Sequence, residues 1–352
     1  MNKKLKLTDT DEERVREIHK KAIVINMCEV TGSIAGFERL VKDDFRDKLN
    51  NLGQYLGAVT VSYARGFNES IPKICDFLDK VVFGNTMKLV TSLKDLDDAK
   101  KEKKPGMIFA FQGADAIEYD LSLLRLFYGL GLRVVQLGYN YDNFLGSGCY
   151  SRVDTGLTNF GIAVVEEMNK LGILVDLSHT GIKTTFETIN ISKAPVIFSH
   201  SNAKAIFNVN RNLTDEQMKA IAEKDGVIGL CAWNSIIRQP KSSDDFTTTE
   251  DLLEHFDYMV KIVGVDHLGF GLDFPEYPRP SWIREMAGPS RLTYGRMYDV
   301  ASWPREKTYC LKSMTEFPNF TRGLIQRGYT DEEILKILGG NFLRVLNQVW
   351  KV

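Results

Sequence analysis

No stretch of this 352-residue sequence approaches the roughly 20 consecutive apolar residues that span a bilayer. The first residues, MNKKLKLTDTDEERVREIHKKA, are charged throughout and lack the apolar centre of a secretory signal. The expectation is a cytoplasmic protein with no membrane partner. Cysteine is scarce and unpatterned: five residues at irregular spacing, with no C-x-x-C pair, which argues against a disulfide framework and for reduced thiols. Net charge is nearly absent as well. Forty-five Lys and Arg oppose forty-six Asp and Glu, a formal charge of -1, so the sequence offers no broad electrostatic hold on nucleic acid or an anionic surface. A small or mixed-charge partner fits better. Histidine is rare, five in all, so the positions of those five carry information. Internal repeats and low-complexity tracts are missing.

What is present is a 43% hydrophobic content organised as short runs. Eight recur: AIVINMC (22–28), GAVTVSYA (57–64), GMIFAFQG (106–113), LRVVQLGYN (132–140), GILVDLSH (172–179), APVIFSHS (194–201), GVIGLCAWN (226–234) and HLGFGLDF (267–274). They are rich in Val, Ile, Leu and Phe without strict alternation, the pattern of parallel strands covered on both faces. Between them lie segments of helical period such as FGIAVVEEMNKLG (160–172), TDEQMKAIAEKDG (214–226) and LLEHFDYMVKIVG (252–264), several closing on a glycine that suits a helix end. Thr214 with Gln217 and Thr330 with Glu333 fit capping boxes. The alternation predicts an α/β fold, a (β/α)8 TIM barrel, formed by residues 1–352 as one domain. An added helix over about residues 8–22 precedes it, and TDEEILKILGGNFLRVLNQVW closes it.

Barrel enzymes carry their chemistry at the carboxyl ends of the strands, so the last residues of each run are the candidates. They are Cys28, Tyr63, Gln112, Tyr139 with Asn140, His179, His200, Asn234 and Asp273. Imidazoles from neighbouring strand ends can converge on one metal ion, and His179 and His200 each follow an apolar run and a serine. The remaining histidines, His19, His255 and His267, fall on helices or open a strand and read as structural. Asp273 after GFGL is a carboxylate that needs a cation, a metal or a proton-transfer partner. Cys28 fits a small buried hydrophobe, a metal ligand or a nucleophile. Gln112 is neutral and a weak ligand, suited to orientation.

The stretches YNYDNFLGSGC (139–149), GLTNFGIAVVEEMNKLGILVDLSH (156–179), APVIFSHSNAKAIFNVNRNLTDEQ (194–217), VGVDHLGFGLDF (263–274) and ILGGNFLRVL (337–346) resemble the membrane dipeptidase (renal dipeptidase) family of zinc peptidases, among the amidohydrolase-like barrels. The resemblance implies a hydrolase that cleaves a dipeptide with a zinc-bound hydroxide, a site normally built for two zinc ions, and a homodimer. It matches His179 and His200 to the second zinc's histidines, Asp273 to the proton-handling aspartate, and Arg211 to the arginine that binds the substrate carboxylate. Tyr139 falls where some members place a substrate-facing histidine, and with Asn140 it is expected to face substrate.

The first strand departs from the family. Where the family reads His-x-Asp in a segment like IDGHND, this chain reads INMCEV, placing Cys28 at the histidine and Val30 at the aspartate. Gln112 stands where the family has a bridging glutamate. The expectation is one zinc ion, two being possible, held by His179 and His200 with Cys28 or Gln112. Glu29 points opposite to Cys28 and Val30 on a regular strand, and only a bulge would bring it in. After Asp273, the segment over about 275–310, rich in proline, tyrosine and arginine (Arg279, Arg284, Arg291, Arg296, Arg305), fits a lid or insertion suited to an anionic substrate. Two other readings of the same residues are a ligand-binding protein without catalysis and a Cys28-dependent lyase or isomerase.

Overall fold

A computed structural model describes residues 7–242, 245–277 and 309–350. The described residues form nine strands: β1 (Ile23–Glu29), β2 (Gln54–Tyr63), β3 (Lys88–Leu89), β4 (Gly106–Gln112), β5 (Leu132–Gln136), β6 (Leu174–Asp176), β7 (Ile197–Phe198), β8 (Val227–Leu230) and β9 (Leu268–Phe270). Neighbours run β2-β1-β9-β8-β7-β6-β5-β4, and a β2–β4 pairing closes the ring. Each pairing is parallel. The result is the expected eight-stranded barrel, with β3 a two-residue rider on the outside of β4. Its sequence, TMKLVT, is too short and too polar to register as an apolar run.

The helices begin and end where side chains satisfy their free backbone groups. Thr214 with Gln217 and Thr330 with Glu333 form the expected capping boxes. Thr158 caps the helix Asn159–Leu171, which stops on Gly172 at φ 79°, a conformation that costs glycine nothing. A helix over Asp9–Lys21 precedes β1 and is tied to the last part of the barrel by Arg322 Nη2 to Glu12 Oε2 at 2.9 Å.

Apolar side chains form two layers. One lies between strands and helices. The other fills the barrel interior with Ile25, Met27, Ile108, Leu174 and Val227. Phe342, Val345, Leu346 and Val349 from the helix Asn341–Val349 pack against that inner layer and floor the barrel. Polar chemistry is thereby left to the opposite rim. The segment expected as a lid lies outside the described residues, apart from 275–277 and 309–310.

Candidate metal centre and its surroundings

β6 and β7 each run out into a histidine. His179 stands at φ 66°, a backbone state uncommon for a side chain with a Cβ and characteristic of functional strand ends. Its Nε2 lies 3.0 Å from His200 Nε2. The two Nδ1 atoms point away from each other to separate acceptors. His179 Nδ1 meets Asn140 Oδ1 at 2.6 Å. His200 Nδ1 meets Ser199 Oγ at 2.6 Å, and that hydroxyl donates onward to Asp176 Oδ2 at 2.5 Å.

These partners fix the tautomers. The Asn140 oxygen can only accept, so His179 Nδ1 carries the proton. Ser199 spends its proton on Asp176, so it accepts from His200 Nδ1. In neutral rings both Nε2 atoms then present lone pairs to one another. Facing lone pairs repel unless a cation lies between them. Two ligand nitrogens on one tetrahedral ion lie about 3.3 Å apart, close to the spacing found. Both rings are buried, and burial first, then the Arg211 charge, keeps each well below the usual histidine pKa. Neutral imidazole is the ligand form. The donor set therefore fits a metal ion.

Cys28, Gln112 and Asp273 come from β1, β4 and the end of β9. The Cys28 thiol donates to Asp273 Oδ1 at 3.5 Å, and Gln112 Nε2 donates to Cys28 Sγ at 2.9 Å and to Thr60 Oγ1 at 3.0 Å. Gln112 thus turns its amide nitrogen, which is no ligand, toward the sulfur. Cys28 Sγ, a His200 nitrogen and an Asp273 oxygen lie within 4.8 Å of one another. Burial and then the Asp273 charge push the thiol well above its usual range, so without a cation it stays protonated and poorly nucleophilic. Burial likewise lifts Asp273 to about 6, against the opposing pull of Arg211 and Cys28.

A bulge decides which side chain β1 shows to this cluster. Asn26 pairs with Gly57 and Glu29 with Val59, so β1 holds one residue more than β2 between those points. Ile25 and Met27 face the interior, and strict alternation would put Glu29 beside them. The expectation that Cys28 faces inward on a regular strand, with a bulge needed to admit Glu29, is reversed: the bulge is what turns Cys28 inward and Glu29 outward. There Glu29 accepts from Tyr55 Oη at 2.8 Å and Thr31 N at 2.7 Å. Burial raises its pKa. Val30 is buried and brings no donor atom.

Tyr139 stacks on the His179 ring with centroids 4.3 Å apart, and Tyr63 meets Tyr139 edge-on at 5.9 Å. Asn140 is fully buried against His179, so it supports that ring. Arg211, 3% exposed, donates to Ser201 Oγ at 3.0 Å and to the His200 carbonyl at 2.8 Å. Asn234 lies apart, accepting from the Thr247 hydroxyl. The other three histidines bond to structural groups: His19 to Leu52 O and Thr321 Oγ1, His255 to Ala203 N and Ile237 O, and His267 to Gly226 O. Asp176 and Ser199 had no role in the strand-end reading. The Ser-His pair that ends both runs, with Asp176 two residues before Ser178, is their visible signal.

The membrane dipeptidase (peptidase family M19) profile matches residues 73–281 and 279–352. An uncharacterized dipeptidase of Schizosaccharomyces pombe is 30% identical over 275 residues, which is 76% of this chain and 58% of that protein. This chain thus spans little more than half the length of that relative. A crystal structure of an amidohydrolase from Pseudomonas aeruginosa has a TM-score of 0.80 at 31% identity, covering 96% of this chain and 99% of that one. A metallo peptidase from Rhodobacter sphaeroides, liganded with a phosphinate mimic of the dipeptide L-Ala-D-Ala, shares the fold with a TM-score of 0.73 at 21% identity, over 94% of this chain and 100% of that one.

Proposed function

The chain belongs to the membrane dipeptidase family, and from that premise we propose that it is a metal-dependent hydrolase. It would cleave the amide bond of a small dipeptide-like substrate at a site holding one zinc ion. The observation that carries this reading is the approach of His179 Nε2 and His200 Nε2, 3.0 Å apart with both Nδ1 atoms already committed. When bound, zinc supplies a water acidic enough to serve as a nucleophile near neutral pH and polarises a carbonyl.

The chain's own residues divide the remaining work. His179 and His200 would hold the ion, and the Cys28 sulfur and an Asp273 oxygen lie within 4.8 Å of a His200 nitrogen, though not both that close to His179. Gln112 Nε2 orients the sulfur. The Asp273 carboxylate, which accepts from the Cys28 thiol at the edge of the cluster, suits taking a proton and returning it to the departing amine nitrogen. Arg211 offers a planar fork to the substrate carboxylate. Tyr139 covers one face of His179 and borders the space where the peptide would lie. A dipeptide-like substrate is also supported by the phosphinate mimic bound to the Rhodobacter neighbour. Preference for one ion over two follows from charge: Val30 and Gln112 bring none, so Cys28 and Asp273 are the anionic donors beside the histidines.

Elemental analysis of the zinc-loaded chain tests the reading together with dipeptide hydrolysis. One equivalent of zinc, lost in His200→Ala along with activity, is the expected result. A chain that takes up no transition metal would overturn it. Cys28→Ser should weaken zinc retention; full retention with turnover abolished would instead favour a reacting thiol.

A further inference from the structure

A cavity of about 150 Å³ opens between the loops that follow β6 and β7. His179 and Arg211 line it, while Cys28, His200 and Asp273 do not. Its other polar walls include Cys149, Ser151, Asp154, Lys204 and Asn210.

The charges in this wall are unbalanced. Arg211, 3% exposed, donates only to neutral oxygens of Ser201 and His200. Half-buried Lys204 donates to Asn210 Oδ1 at 3.4 Å. Among the described residues no carboxylate forms an ion pair with either cation. Asp154 is the one acidic residue of the wall. Its oxygens are occupied by the backbone N–H groups of Gly156 at 3.2 Å and Lys183 at 2.6 Å, where the helix Ile182–Ile191 begins. The two cations act on a common point, since both pull down the Cys149 thiol that burial has pushed up to about 12. Arg211 feels the Asp273 carboxylate from a distance but makes no ion pair among the described residues, and burying a guanidinium so weakly compensated is expensive, so a site with this wall favours anions. One carboxylate satisfies Arg211, and Lys204 is surplus to it.

We propose that this cavity takes a second anionic group and that Lys204 selects it, so that the substrate is a dipeptide-like amide whose carboxyl-terminal residue is aspartate or glutamate. This rests on the hydrolase reading above. The α-carboxylate meets the planar fork of Arg211, and the side-chain carboxylate meets the Lys204 ammonium with Asn210 and Ser151 beside it. The volume, several times the roughly 30 Å³ share of one water, admits such a side chain. Lys204 is partly exposed and belongs to none of the apolar clusters, so its replacement removes the charge without emptying the core.

Calorimetric titration of the full chain with glutarate, butyrate and inorganic phosphate tests the cavity. Steady-state hydrolysis of Ala-Glu and Ala-Ala by the zinc-loaded chain tests its use. Glutarate should bind at least tenfold more tightly than butyrate. Ala-Glu should exceed Ala-Ala at least tenfold in kcat/KM, mainly through KM. Lys204→Met should bring both ratios close to one, and Lys204→Arg should keep them. Hydrolysis of both dipeptides with equal efficiency, and no preference for glutarate, would overturn the inference and leave the hydrolase reading standing. Lys204-dependent glutarate binding with neither dipeptide hydrolysed would support the cavity and sink the hydrolase reading. Phosphate binding above glutarate would replace the acidic side chain by a phosphoryl group and overturn the proposal as stated.

Discussion

At Ser199 a single hydroxyl settles which nitrogen of His200 is free. It gives its proton to Asp176 and takes the Nδ1 proton of His200. Ser199→Ala removes that acceptor and lets the ring adopt the other tautomer. Zinc affinity should then fall about 10- to 100-fold, the usual cost of losing a group that supports a ligand. Competition with a coloured chelator measures this, and the ring nitrogen resonances of His200 in the metal-free chain should shift as well. The two histidines, Asp273 and Cys28 could be read from the ends of apolar runs because barrel strands deliver their last residues to one rim. The roles of Asn140, Asp176 and Ser199 could not. Each is defined by what stands opposite on the neighbouring strand, and a single chain does not display that.

Among elements, β1 shows how one extra residue redirects chemistry. Alternation alone gives Glu29 the inward place, and the bulge between Asn26 and Glu29 gives it to Cys28. Periodicity cannot anticipate such a shift, because the residues are the same either way. The glycine after β9 has a reason equally hidden from pattern. A Cβ on Gly271 would overlap the Ser199 carbonyl oxygen, so the residues just past β7 and β9 approach too closely for a side chain there. Gly271→Ala should destabilise the chain by about 1 to 3 kcal/mol, as forced repacking does, measured by urea unfolding. The helix Thr249–Val263 carries a different liability. His255 is fully buried there, accepting from Ala203 N and bonding the Ile237 carbonyl. Burial, against the help of Ile237 O, lowers its pKa from 6.5 to about 4. Between those values the unfolded chain binds the proton that the folded chain refuses, so stability rises with pH across that window and is lost as pH falls through it. The linkage amounts to on the order of 3 kcal/mol. Denaturant titrations from pH 4 to 7 should show a shallower slope for His255→Gln than for the parent.

For the molecule as a whole, the barrel was legible because strands buried on both faces need unbroken apolar runs, and eight such runs separated by amphipathic segments leave few other folds. The rider strand Lys88–Leu89 was not, since two residues carry no periodicity. Phe342, fully buried, belongs to the cluster that joins the helix Asn341–Val349 to the barrel interior. Phe342→Ala should cost about 3 to 5 kcal/mol, read as a lowered midpoint in the same unfolding experiment. That packed floor also governs traffic. With the interior filled from below, the described residues leave the histidines to be approached from the rim, and on the hydrolase reading both product fragments would leave by the route their parent took. A fragment that stays behind would block the next arrival, so added product should slow turnover in a steady-state assay.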